Sequence, residues 1–146
     1  MGNMCAAAAG ESPRTTGISV RREIYIPLPC RKEILMFNKN NPNGYKDMSE
    51  GVHLKTLVYG EKTHSLEFRL AQGSQLPVHS HPHEQTGYLV AGKIRLTIGA
   101  ETYEVEPGDS WCIPGHVAHS ATALENSVAI EVFSPVRKEY LPENLH

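Results

Sequence analysis

The chain has 146 residues, 40% of them hydrophobic, and a formal net charge of −2. That length suits one domain with a real core, and the small net charge gives no reason to expect nucleic acid as a partner. No apolar run approaches the roughly 20 residues that cross a membrane. The alanines at 6–9 are too few for a signal-peptide core and no basic residue precedes them, so a cytoplasmic protein is expected. Three cysteines, Cys5, Cys30 and Cys112, form no close pair, which fits a reducing compartment. Cys112, in the apolar run SWCIP, reads as a small buried hydrophobe.

Residues 1–35 read as an N-terminal arm, partly disordered or an edge strand. The first 20 are mostly small and polar and lack the apolar content to fold alone. Residues 20–26 have strand character until Pro27 and Pro29 stop it. A homodimer is expected, because pairing removes an exposed sheet edge, and residues 24–26 are the candidate edge. Residues 36–146 read as the domain proper. The turn-rich NKNNPNG at 38–44 opens it. Strands are then expected over 53–59, 65–70, 86–91, 94–98, 101–105, 110–113, 119–124 and 128–133. Leu66, Phe68 and Leu70 share one face, and Ile94, Leu96 and Ile98 alternate with Lys93, Arg95 and Thr97. Gly and Pro punctuate these runs about every 8–12 residues, the rhythm of an all-β sandwich or barrel. The tail from Pro135 has room for one helical turn.

Two stretches carry chemistry. The first, GSQLPVHSHPHEQTGYLVAG, sets His79, His81 and His83 two residues apart. In an extended strand such residues point the same way, and converging imidazoles begin a transition-metal site. Pro82 is expected to turn His83 aside. The second, GDSWCIPGHVAH, ends on His119, with His116 in the turn before it.

Together these stretches resemble the two cupin motifs. Gly73, His79, His81, Gln85 and Gly92 fall on the first, and Gly108, Pro114 and His119 on the second. Gln85 stands where most cupins have Glu, and His116 where the pattern has Gly. The resemblance implies a double-stranded β-helix, or jelly-roll, cupin barrel with His79, His81, Gln85 and His119 as metal ligands. The metal would be one divalent transition ion: Zn, Ni, Mn or Fe. Three imidazoles and a neutral amide leave its charge uncompensated, which favours a small anionic ligand such as a carboxylate or sugar acid.

The last strand, AIEVFSPVR, sets Glu131 and Phe133 on one face, and alternation alone does not say whether that face is inside. Here the chain resembles the pectin-degradation cupins of the KdgF type, which open the ring of 4,5-unsaturated uronates to linear keto acids. That resemblance spans residues 36–141. It implies that Glu131 and Arg137 are catalytic and that Phe133 and Arg137 bind substrate. Glu131 stands where that family has Asp, one methylene shorter. The residues themselves equally suit a non-catalytic binding module for a sugar acid or small carboxylate, or an iron-dependent dioxygenase, although the latter usually uses a carboxylate where Gln85 stands.

Overall fold

Alternating apolar residues produce ten strands in this computed structural model, which describes residues 34–142. They are β1 (Lys46–Ser49), β2 (Val52–Tyr59), β3 (His64–Leu70), β4 (Gln75–His79), β5 (Glu84–Ala91), β6 (Ile94–Ile98), β7 (Glu101–Val105), β8 (Ser110–Ile113), β9 (His119–Ala123) and β10 (Ser127–Ser134). A short 3-10 turn, Lys138–Tyr140, supplies the helical turn expected of the tail. Among the described residues no helix is long and apolar enough to cross a membrane.

The strands form two antiparallel sheets, a six-stranded one in the order β1-β2-β3-β10-β5-β8 and a four-stranded one in the order β4-β9-β6-β7. This is the jelly roll expected from the sequence. Period-2 alternation gives strands such as β3, β5, β9 and β10 one buried face, and the two sheets bury those faces against each other. Leu54, Leu66, Phe68, Leu89, Leu96 and Phe133 form the centre of that core. Each such side chain stabilises the fold by about 1.5–3 kcal/mol relative to exposure.

Parity corrects one expectation. In β8, Trp111 and Ile113 turn inward and Cys112 is exposed. The apolar neighbours of Cys112 belong to the opposite face of the strand, so it is not a buried hydrophobe. The stretch at 24–26 and the cysteines Cys5 and Cys30 lie outside the described residues.

The motif positions have local causes. Gly92 has φ +85, and a Cβ there would stand 2.3 Å from the carbonyl oxygen of Asn126, so only glycine fits. His116 has φ +67 in the turn where the motif has Gly, the left-handed region that disfavours other side chains. Its amide donates to the carbonyl of His81 at 2.7 Å. That bond ties the second motif's turn to the loop of the first.

Candidate metal centre

β4 and β9 bring the two motifs together. His79 at the end of β4 lies directly opposite His119 at the start of β9. His81 follows β4 by two residues, and Gln85 enters with β5. The ring centroids of His79 and His119 are 4.2 Å apart, those of His81 and His119 4.9 Å, and those of His79 and His81 5.7 Å. Each imidazole offers one nitrogen to a point shared with the others, all within 4.8 Å. His81, His119 and Gln85 are buried, while His79 sits at the rim.

Backbone carbonyls set the tautomers. His79 Nδ1 lies 2.9 Å from the carbonyl oxygen of Pro77, His81 Nδ1 3.0 Å from that of His83, and His119 Nδ1 2.8 Å from that of Val117. A carbonyl only accepts, so each ring carries its proton on Nδ1 and leaves Nε2 bare. The bare Nε2 of His119 is buried with no partner. That of His81 faces Gln85 Oε1 at 3.0 Å. The Gln85 side chain also acts on the Glu131 carboxyl. A buried lone pair without a partner, and another set against an oxygen lone pair, are unfavourable unless a cation accepts both. These residues therefore fit a metal ion.

Electrostatics favour the neutral form of His81 and His119, the form that metal ligation requires. Burial pushes His81 below the ordinary histidine pKa. The Arg137 charge and His119 add to this, and Gln85 and the His83 carbonyl oppose it. Burial likewise lowers His119, opposed by the Val117 carbonyl and assisted by His79 and Arg137. Three imidazole nitrogens and one amide oxygen suit a divalent transition ion and add no negative charge to it.

β10 supplies the opposite wall. Its alternation turns Glu131 and Phe133 inward, with Ile130 and Val132 on the outer face. Glu131 is buried, and that burial raises its carboxyl to about 7, against the pull of Gln85, Arg137 and Trp111. Arg137 follows β10 and lays its guanidinium 4.1 Å from the Tyr140 ring centroid and 5.1 Å from that of Phe133. Its Nε and Nη2 each donate to Glu139 Oε1 at 2.8 Å. His79, Gln85, His119, Glu131, Phe133 and Arg137 line one cavity of about 40 Å³, enough for about three waters. Larger hollows elsewhere, such as that of about 320 Å³ beside Asn38, Lys55 and Thr56, touch none of these histidines.

The remaining histidines divide. His83 packs its ring 5.7 Å from His81 but is not one of the three that converge. His64, unassigned from the sequence, is wholly enclosed and meets Thr56 Oγ1 at 3.0 Å. Tyr140 was also missed as a cavity residue. Its position three residues after Arg137, one turn of a 3-10 helix, was the available signal.

A family model for the cupin domain matches residues 66–134, from within β3 to the end of β10. The pectin degradation protein KdgF of Dickeya dadantii (strain 3937) is 26% identical over 99 residues, covering 66% of this chain and 90% of that protein. The structure of KdgF from Halomonas sp. superposes with a TM-score of 0.69 at 30% identity, over 72% of this chain and 97% of that one. An RmlC-like cupin from Shewanella frigidimarina NCIMB 400 shares the fold, with a TM-score of 0.71 at 24% identity over 75% and 99% of the two chains. With its two motifs joined at one cluster of histidines inside a jelly roll, this chain belongs to the cupin family and is similar to the KdgF-type members of it.

Proposed function

We propose that this protein is a metal-dependent cupin that opens the ring of 4,5-unsaturated uronates to linear keto acids. The supporting observation is one buried carboxyl, Glu131, and one guanidinium, Arg137, on the wall of the cavity that the histidines close. The likeness to two KdgF proteins, one of them a pectin degradation protein, supports the same substrate class.

A divalent metal bound by His79, His81, Gln85 and His119 supplies Lewis acidity toward the substrate's oxygens. Arg137 receives the substrate carboxylate. Its Nε–Nη2 edge is taken by Glu139, so the guanidinium is already oriented and its Nη1 edge is left for a planar anion. Phe133 and Tyr140 bear on the guanidinium and confine the sugar ring. Glu131, with a carboxyl near 7, both accepts and donates a proton at neutral pH. The reaction balances as an isomerisation. The anomeric hydroxyl loses its proton to Glu131, and the bond from C1 to the ring oxygen breaks with its electron pair going to oxygen. The enolate left at C5 then takes that proton back from Glu131 at C4 and becomes a ketone. No atom enters or leaves, so one carboxyl that takes a proton and returns it is sufficient.

The test is Glu131→Gln assayed by loss of unsaturated-uronate absorbance, with metal content measured alongside. Turnover lost with metal retained is expected. Unchanged turnover would remove Glu131 from the reaction. A wild-type protein that binds metal and a sugar acid yet consumes no unsaturated uronate would be a binding module instead.

A further inference from the structure

One row across the inner face of the six-stranded sheet joins the acid to a residue that the reaction above does not use. Glu131 of β10 lies opposite Gly87 of β5, and Gly87 lies opposite Trp111 of β8. Glycine inside a strand weakens it by roughly 0.5–1 kcal/mol relative to alanine, and often marks a close approach to the backbone. Here the approaching group is the Trp111 indole. A Cβ on Gly87 would stand 2.1 Å from its Cε2 and 2.5 Å from its Nε1. The indole therefore lies across β5 in the space a side chain would fill, with its N–H edge over Gly87 and one strand from Glu131.

That N–H is buried and has no partner in strict hydrogen-bond geometry. Buried indole N–H groups ordinarily find an acceptor. The row through Gly87 makes the buried Glu131 carboxyl the neighbouring acceptor on that face of the sheet. The last torsion of a glutamate lies in a broad well, so the carboxyl is free to turn toward the indole.

We infer that Trp111 is a positioning residue for the Glu131 carboxyl: its indole N–H, seated on the bare backbone of Gly87, holds one carboxyl oxygen and leaves the other toward the cavity. Gln85 acts on the same carboxyl and also faces His81, so the acid, the candidate metal ligands and the indole form one connected set. The kinetic consequence rests on the ring-opening reading. The placement of the indole does not.

The chain contains one tryptophan, so its indole N–H gives a single resonance from this site. The experiment is a proton–nitrogen spectrum of the full chain reconstituted with Zn(II), as wild type, Glu131→Gln and Glu131→Leu. The expected result is an upfield move of the indole proton in Glu131→Leu, larger than in Glu131→Gln, which keeps an acceptor oxygen. An identical shift in all three overturns the inference. Should Glu131→Leu not fold, the wild-type chain carrying benzothienylalanine in place of its tryptophan, with sulfur where the N–H was, supplies the kinetic arm. There, and in Trp111→Phe and Gly87→Ala, kcat falls about tenfold at unchanged KM. An unchanged kcat, or a rise in KM alone, overturns the inference. If wild type opens no uronate, the ring-opening reading fails, and the spectrum alone decides the place of Trp111.

Discussion

His81 holds its Nε2 3.0 Å from Gln85 Oε1 while its Nδ1 already faces the carbonyl of His83. Two acceptors in contact, beside the orphaned Nε2 of His119, make the metal-free site a strained one that a cation relieves. Divalent metal is therefore expected to raise the melting temperature. At free metal one hundred times Kd the gain is about 2.7 kcal/mol, on the order of 10 °C for a domain of this size. Thermal melts with and without Zn, Ni, Mn or Fe check it, with His81→Ala and His119→Ala as controls that lose the gain. No shift in wild type with any of the four would exclude the centre.

Glu131 ties stability to pH through the same burial that suits it to proton transfer. Its folded carboxyl is raised to about 7, so the folded state holds the proton more tightly than the unfolded chain. Its contribution is full below the ordinary carboxylate range and is lost as pH rises through 7. At pH 8 the metal-free wild type carries a buried charge at a cost on the order of 3 kcal/mol. Metal-free Glu131→Gln is therefore expected to melt higher than wild type at pH 8 and alike at pH 5. Scanning calorimetry at the two pH values decides, and a variant less stable at pH 8 contradicts the assignment.

His64 gives the opposite slope. Burial lowers its pKa, with the Arg137 carbonyl and Glu139 pulling it back and the Arg137 charge adding to the fall. A depressed histidine contributes stability that is present above its unfolded value near 6.5 and lost as pH falls below it. His81 and His119 act in the same sense. Urea midpoints of the metal-free protein should fall between pH 6.5 and pH 5. The fall should be shallower in His64→Gln, which keeps a partner for Thr56 but does not titrate. Equal slopes would show that His64 is not protonated on unfolding.

Arg137 is held at 2.8 Å by Glu139 and flanked by two aromatic rings. Lysine offers neither the planar fork nor the stacking. Losing one charge-assisted contact of about 1.5–3 kcal/mol predicts a KM for unsaturated uronate about 10- to 100-fold higher in Arg137→Lys, with kcat within a few-fold of wild type. Steady-state kinetics separate the two, and an unchanged KM would mean that the substrate carboxylate binds elsewhere.

Much of this architecture is legible in the chain because a half-buried strand shows its parity. Ile94, Leu96 and Ile98 announce β6 unaided, and the spacing of His79 and His81 already aims two imidazoles one way. The motif glycines are equally local, and Gly92 answers to its own φ and to the backbone of Asn126. Parity says which residues share a face and not which face is dry. Cys112 has apolar neighbours and points outward. Glu131 has the same alternation whichever way β10 turns, and only the pairing of β10 between β3 and β5 makes its face the inner one.

Residue order alone announced most of the strands, their alternation and the residue types of a metal centre, but not β1. Tertiary structure decided what meets what. His79 meets His119 forty residues later through the antiparallel register of β4 and β9. Trp111 reaches toward Glu131 because a glycine on the strand between them leaves the way open. Both depend on non-local register, which is set when two sheets bury their apolar faces together.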